Sequence, residues 1–287
     1  MVSSDQRSSA SSVSSASSIS ETQGAVASSD VAASCVVQRI PATPAEWITP
    51  GELDARLPVR PAVVPVSLST AGLIIVDEIN GFCQVAGGAL APQATNAQVS
   101  RMIALSDTLA RTFSERRRPM LAFIDSHAPG KPEPPYPAHC EQGSGEDELV
   151  AELAWLEEEP QATLVRKDCI NGYVGAIDPH TQVNALQDWV SDEGLETLVV
   201  VGICTDICVM DLVLTLLSAR NHGLLGKVRD IMVLEPGCAT YDLPAQVVEQ
   251  LGLPDTATHP QADSHHIGLY CMASRGAVIA SQLELTS

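Results

Sequence analysis

The 287-residue chain carries 35 acidic and 16 basic side chains, a formal net charge of −19 at pH 7, and its sequence pI is near 4.5. This acidity argues against nucleic acid and against anionic membrane surfaces as partners. No apolar run reaches the roughly 18–20 residues that a membrane helix needs. The composition therefore predicts a soluble protein without a membrane partner, in one large or two small domains.

The eight cysteines are scattered through the chain, with no CxxC pair and no signal peptide before them. This usage is typical of free thiols in a reducing compartment. We expect a cytoplasmic protein, with the nucleus or a plastid as alternatives.

Three regions follow one another along the chain. Residues 1–34 are rich in Ser and Ala and are predicted to form a disordered tail, because they cannot bury enough apolar surface to fold. Organelle targeting is the minority interpretation of this tail. Residues 35–70 are predicted to form an N-terminal arm whose six prolines prevent long helices. Residues 71–287 are predicted to form the folded domain.

From Ala71 onward, buried strands alternate with helices. The predicted strands are residues 72–76, 119–124, 162–166, 198–201, 231–234 and 277–280. The predicted helices are residues 96–115, 182–190, 207–221, 243–251 and 267–274. This alternation predicts an α/β fold of three layers, a doubly wound, six-stranded, mostly parallel sheet with helices on both faces. Six strands are too few for an eightfold barrel.

Cys208 follows the fourth of these strands. Gly202 allows a sharp turn after the strand, and Thr205 or Asp206 could cap the helix that follows. A cysteine in the first turn of a helix is expected to have a lowered thiol pKa, and free N–H groups there can hold an oxyanion. The alternative is a buried, inert cysteine.

Three charged side chains directly follow the first three strands: Asp77, Asp125 and Lys167. Each could be a solvated loop residue. Ligands bind at the carboxyl edge of open parallel sheets, however, so these side chains are expected to meet Cys208. An Asp that takes the thiol proton and a Lys that orients the Asp would complete a catalytic triad.

A second pattern is Asp125-x-His127-x5-Glu133-x5-His139. Its ligand types suit Zn²⁺, Fe²⁺ or Mn²⁺, and the prolines between them forbid a helix. We expect a loop that holds one divalent metal ion, Zn²⁺ before Fe²⁺ or Mn²⁺, although lone loop histidines are usually just exposed. The acidic run 146–159 and the pair His265-His266 are interpreted as surface.

The chain resembles the nicotinamidase/isochorismatase-like family of cysteine hydrolases over roughly residues 70–285, and within that family the plant-type branch. The residues that carry the resemblance are Asp77-Glu78-Ile79-Asn80-Gly81-Phe82, Asp125-Ser126-His127, Pro137-Ala138-His139-Cys140, Lys167 and Gly202-Ile203-Cys204-Thr205-Asp206-Ile207-Cys208-Val209.

The resemblance implies nicotinamide as the substrate, hydrolysed to nicotinate and ammonia through a Cys thioester in NAD salvage. It implies Asp77, Lys167 and Cys208 as catalytic residues. It also implies a cis Ile203–Cys204 bond and an oxyanion hole made by the amides of Cys204 and Cys208. Phe82, Tyr136 and Tyr173 are the implied substrate pocket, and Asp125, His127, Glu133 and His139 the implied metal ligands. Many members of the family have a third His where this chain has Glu133. Homo-oligomerisation is left open.

Three alternatives remain at this point. The first is a metal-free amidase or isochorismatase-like hydrolase, against which the metal-ligand pattern argues. The second is a non-catalytic binding module on the same fold, which would be expected to lack Cys208 or Lys167. The third is a dinucleotide-binding oxidoreductase, but Asp77-Glu78-Ile79-Asn80 stands where a G-x-G-x-x-G turn would be needed.

Overall fold

The computed structural model describes residues 52–131, 133–134 and 136–286, and the predicted tail of residues 1–34 lies outside them. Its strands are β1 (Ala62–Ser67), β2 (Ala71–Val76), β3 (Met120–Asp125), β4 (Ala162–Lys167), β5 (Thr197–Ile203), β6 (Asp230–Ala239) and β7 (Val278–Thr286). Its α-helices are α1 (Glu52–Arg56), α2 (Asn80–Cys83), α3 (Ala97–Glu115), α4 (Gly172–Gly175), α5 (Ala185–Asp192), α6 (Met210–Asn221), α7 (Ala245–Gln250) and α8 (Gln261–Ala273).

The seven strands form one parallel sheet in the order β1-β7-β6-β5-β2-β3-β4. The chain builds β2, β3 and β4 outward in one direction and then returns to place β5 on the other side of β2. The strand order therefore reverses between β2 and β5, and the carboxyl ends of strands at such a reversal border a ligand-binding crevice.

Gly202 lies at the seam between these two strands. Its φ is +127°, and a Cβ there would lie 2.2 Å from the carbonyl oxygen of Val76. Only glycine allows β5 to approach β2 this closely. The close approach brings the ends of the two strands together.

Alternate residues of the central strands face two separate apolar layers, as expected for a sheet that is covered on both sides. Ile74 and Val200 face the layer that contains α5, α6 and α8. Leu73 and Val199 face the other layer, where α3 contributes Phe113. The predicted α/β class, with helices on both faces, is confirmed.

The predicted count of six strands is wrong because β1 was not predicted. β1 lies within the segment interpreted as an arm and is largely exposed. Among the described strands it pairs only with β7, at the edge of the sheet. Pro65 interrupts its apolar pattern, yet an edge strand tolerates a proline because one side of its backbone has no strand partner.

Seven cysteines lie in the described part of the chain, and all are free thiols: Cys83, Cys140, Cys169, Cys204, Cys208, Cys238 and Cys271. None of the helices in the described ranges is long and apolar enough to cross a membrane.

Candidate active site

The charged residues at the ends of β2, β3 and β4 meet in one buried group. Asp125 and Lys167 are register partners in neighbouring strands, and Asp77 follows β2. The exposed fractions of Asp77, Asp125 and Lys167 are 0%, 2% and 2%. Lys167 Nζ lies 2.9 Å from Asp77 Oδ2 and 2.9 Å from Asp125 Oδ1, so one ammonium serves two carboxylates.

The pKa of the Asp77 carboxyl is raised toward neutral pH, the range in which a carboxylate can act as a general base. Burial raises its pKa, the positive charge of Lys167 lowers it, and the negative charge of Asp125 raises it again. Polar interactions with Lys167 and with the neighbouring Cys208 thiol lower it as well, and the balance raises the pKa from 3.8 to about 6. Above this pH, Asp77 can accept a proton from a neighbouring group.

Cys208 lies in a π-helical turn, Thr205–Val209, between β5 and α6, and is 8% exposed. The expectation of a lowered thiol pKa is wrong. Burial and the neighbouring Asp77 carboxylate raise the pKa well above its ordinary value, although Lys167 opposes them. The Cys208 thiol therefore holds its proton more strongly than a free cysteine does.

The turn before Cys208 has a different cap from the predicted one. The peptide bond Ile203–Cys204 is cis, as the resemblance implied. Cys204 is the N-cap residue, and its side chain makes no capping hydrogen bond. Thr205 is instead hydrogen-bonded to His265 Nδ1 at 2.7 Å, and Asp206 to His259 at 2.9 Å, because the surrounding elements compete for these side chains.

The predicted metal ligands converge beside this group. Within the described ranges, Asp125, His127, Glu133 and His139 have ligand atoms that all lie within 4.8 Å of one another. Asp125 Oδ2 is 2.9 Å from His127 Nε2 and 3.3 Å from His139 Nε2. Glu133 Oε2 is 3.7 Å and 3.6 Å from the same two nitrogens.

The orientations of these ligands fit a divalent cation. His139 Nδ1 donates to the carbonyl of Pro137 at 2.8 Å, so its Nε2 faces the carboxylates. Glu133 Oε1 accepts from the amide of Ile170 at 2.9 Å, so its Oε2 faces the histidines. Such backbone partners fix ligand orientation at metal sites. Two imidazole nitrogens and two carboxylate oxygens suit Zn²⁺, Fe²⁺ or Mn²⁺.

The electrostatics of the cluster also favour a cation. Burial would raise the pKa of Asp125, but hydrogen bonds and charge from His139 and Lys167 lower it to about 2. Burial would lower the pKa of His139, but Asp125 and Glu133 raise it to about 10. The carboxylates hold a proton on His139 so strongly because the pocket between them is negative.

Two of the three predicted pocket aromatics lie against the cluster. The rings of Phe82 and Tyr136 have centroids 5.8 Å and 6.0 Å from that of His139. The hydroxyl of Tyr173 instead accepts from Gln187 Nε2 on α5 at 2.8 Å. The place of Tyr173 in a substrate pocket stays a prediction.

Sequence reasoning missed Tyr241 and His259, whose rings stack with centroids 3.7 Å apart and an interplanar angle of 13°. Tyr241 comes two residues after β6, but the predicted strand stopped at residue 234, five residues short of the observed end, so the rule applied to the first three strand ends could not reach it. His265 and Asp147 were interpreted as surface, and this was wrong. They are 7% and 4% exposed, because Thr205 and Arg166 form hydrogen bonds to them.

Known proteins resemble the chain in sequence and fold. A family model described as the isochorismatase domain matches residues 71–250. Nicotinamidase 1 of Arabidopsis thaliana is 51% identical over 216 residues, 75% of this chain and 87% of that protein. Nicotinamidase PncA from Bacillus subtilis is 21% identical at a TM-score of 0.55, over 74% of this chain and 100% of that chain. Pyrazinamidase of Pyrococcus horikoshii, solved in complex with zinc, is 19% identical at a TM-score of 0.50, over 76% and 99%. The likeness to both structures concerns the fold.

Proposed function

Since the chain belongs to the isochorismatase-domain family, we propose that it is a nicotinamidase, which hydrolyses nicotinamide to nicotinate and ammonia in NAD salvage. One observation carries the proposal: a buried Asp77–Lys167–Cys208 group adjoins a four-ligand cluster bordered by aromatic rings. The name of the relative that is 51% identical supports the same substrate. The free thiols of the described residues support a cytoplasmic location.

Substrate binding in this proposal uses the cluster and the aromatic residues. Asp125, His127, Glu133 and His139 would hold one divalent metal ion, which would supply a Lewis acid for the pyridine nitrogen of the substrate. Phe82 and Tyr136, whose rings both lie beside His139, pack against the pyridine ring of the substrate. The carboxamide carbon then faces Cys208.

The chemistry proceeds through a covalent intermediate on Cys208. Asp77 takes the thiol proton as the sulfur attacks the carboxamide carbon, and Lys167 keeps Asp77 ionised and oriented. The amides of Cys204 and Cys208 donate to the oxyanion. Asp77 gives its proton to the leaving ammonia. A water, losing a proton to Asp77, then hydrolyses the thioester to nicotinate and restores the thiol.

The test is ammonia release from nicotinamide by the purified full chain, with and without a chelator. Cys208→Ala is expected to fold normally and to lose essentially all activity. Cys204→Ala is the matched control, since it keeps the backbone amide that the proposal uses, and should retain much of the activity. Equal loss in both variants would refute Cys208 as the nucleophile.

The same experiment separates the rival functions. Full activity in protein shown by elemental analysis to be metal-free would assign the chain to the metal-independent amidases. Binding of nicotinamide without ammonia release, with metal present, would identify a binding module.

A further inference from the structure

The segment between β6 and α8 carries a side-chain network that the proposed mechanism does not use. The Tyr241 and His259 rings stack nearly parallel, as described above. The two residues are 18 positions apart in the chain and meet because Leu243 and His259 exchange two backbone hydrogen bonds, each 2.8 Å long. The backbone pairing at the start and end of this segment therefore holds the two stacked rings together.

Both ring nitrogens of His259 are engaged. Nε2 lies 2.9 Å from Asp206 Oδ2, and Nδ1 lies 2.9 Å from the carbonyl oxygen of Tyr241. Burial would lower the pKa of His259, but hydrogen bonding and charge from Asp206 raise it. An imidazolium donates through both nitrogens at once, so the ring is fixed in its plane and presents a cationic face to Tyr241.

Asp206 connects this stack to the turn that carries the nucleophile. It lies two residues before Cys208 in the π-helical turn. Its second carboxylate oxygen accepts from Thr240 Oγ1 at 2.6 Å. The carboxylate therefore ties the chain on both sides of Tyr241, at Thr240 and at His259, to that turn.

Tyr241 extends toward the proposed reaction centre. Ala239, the last residue of β6, is the register partner of Ile203 in β5, so the chain that follows β6 to Tyr241 runs beside Cys204 and the turn that carries Cys208. Burial raises the pKa of the Tyr241 hydroxyl, with further contributions from Cys204 and Tyr136. Burial also raises the pKa of Tyr136, followed by contributions from Cys208 and Cys204. Tyr136 and Tyr241 are thus neighbours that both lie near Cys204.

We propose that Tyr241 is a specificity-determining wall of the substrate pocket that favours planar aromatic amides, and that Asp206 and His259 are positioning residues that hold its ring. This inference rests on the proposed nicotinamidase function. A fixed aromatic ring gains more from a flat substrate than from a short aliphatic one, because ring–ring packing adds to the area that is buried. Loss of the ring should therefore affect KM for nicotinamide more than it affects kcat.

The test compares steady-state kinetics on nicotinamide and on propionamide. Tyr241→Ala is expected to raise KM for nicotinamide roughly 3- to 10-fold, with a smaller change in kcat and little change in kcat/KM for propionamide. Tyr241→Phe keeps the ring and should stay within about 2-fold of the parent protein. His259→Ala should reproduce part of the KM increase, and the double variant should be no worse than Tyr241→Ala alone. His222→Ala, a substitution of an exposed histidine at the end of α6, is the matched control.

Metal content and melting temperature are measured for every variant, since a purely structural role would shift these and reduce the turnover of both substrates together. An unchanged KM for nicotinamide in Tyr241→Ala, or an equal loss of kcat/KM on both amides, would overturn the role of Tyr241 as a wall of the substrate pocket. Additive effects in the double variant overturn the positioning role of His259. If the parent protein does not hydrolyse nicotinamide, the proposed function fails and this inference falls with it. That outcome is distinguishable because it is read in the parent protein alone.

Discussion

The two halves of the candidate site are built in different ways. Asp77, Asp125 and Lys167 lie at strand ends, where the register of the sheet sets their separation. Glu133 and His139 lie on a loop, and individual hydrogen bonds to Ile170 and Pro137 hold their side chains. The proposed base, Asp77, thus lies at the end of a rigid element, whereas Glu133 and His139 lie on a loop whose sequence can change without altering the sheet.

Removing the Lys167 ammonium, which Asp77 and Asp125 share, is expected to have the largest effect on stability and turnover. Lys167→Met leaves the buried carboxylate of Asp77 without its cation and removes the same cation from Asp125. Such a loss typically costs about 3–5 kcal/mol of unfolding free energy. We expect a lower melting temperature and a loss of nicotinamide turnover on the order of 10³-fold. Lys227→Met, at an exposed lysine, is the control, and parent-like activity in Lys167→Met would contradict the assignment.

The loop half can be tested one ligand at a time. His127→Ala and His139→Ala should lose bound metal and turnover together, by roughly 10- to 100-fold in metal affinity. If Glu133 binds the metal directly, Glu133→Ala should behave like these variants, and Glu133→His should restore binding with a shifted preference among Zn²⁺, Fe²⁺ and Mn²⁺. If Glu133 contacts only a metal-bound water, Glu133→Ala should keep the metal and mainly raise KM. Elemental analysis alongside turnover distinguishes these results.

The strand-end half should set the acidic limb of the pH profile. The pKa of Asp77 is raised to about 6, and the base must be ionised to take the thiol proton. We expect kcat/KM to fall about tenfold per pH unit below this value, as an apparent pKa of the coupled group. An acidic limb that stays near pH 4 would show that Asp77 is not the base.

Glu78 shows that a strand end does not suffice to make a site. It follows Asp77 and is fully buried, yet its carboxyl accepts from Ser106 on α3, in the other layer. Burial raises its pKa from 4.5 to about 8, although the Ser106 hydrogen bond lowers it. The native state therefore keeps a proton that the unfolded state releases above about pH 4.5, and unfolding free energy falls as pH rises from 4.5 to 8.

Glu78→Gln should remove this pH dependence with little effect on turnover. We expect the stability of the variant relative to the parent to increase between pH 5 and pH 9 by roughly 2–4 kcal/mol. Chemical denaturation at the two pH values measures the change. A constant difference between variant and parent would show that Glu78 titrates normally.

The contrast between strand ends and loops also explains what the sequence could predict. The strands that precede Asp77 and lead to Asp125 are continuous apolar runs, and the strand that ends at Lys167 has an apolar centre at Leu164 and Val165, so both the parallel sheet and the residues at its edge could be identified. β1 could not, because an exposed edge strand containing Pro65 has no such run. The stack of Tyr241 on His259 depends on Asp206, a residue distant in sequence, and no local pattern encodes that pairing. The thiol pKa of Cys208 was predicted from its helix, whereas burial and the Asp77 carboxylate determine it.

The close approach at Gly202 has a consequence for the interpretation of genetic variants. Any side chain at this position would collide with the backbone of Val76, the residue before Asp77, and push apart the strands that present Asp77 and Cys208. A missense change there removes no side chain that takes part in the proposed reaction, and it leaves all four proposed metal ligands in the sequence. In a mutational screen it would be scored as a loss of enzyme function with normal metal content, although every proposed catalytic side chain would be unchanged.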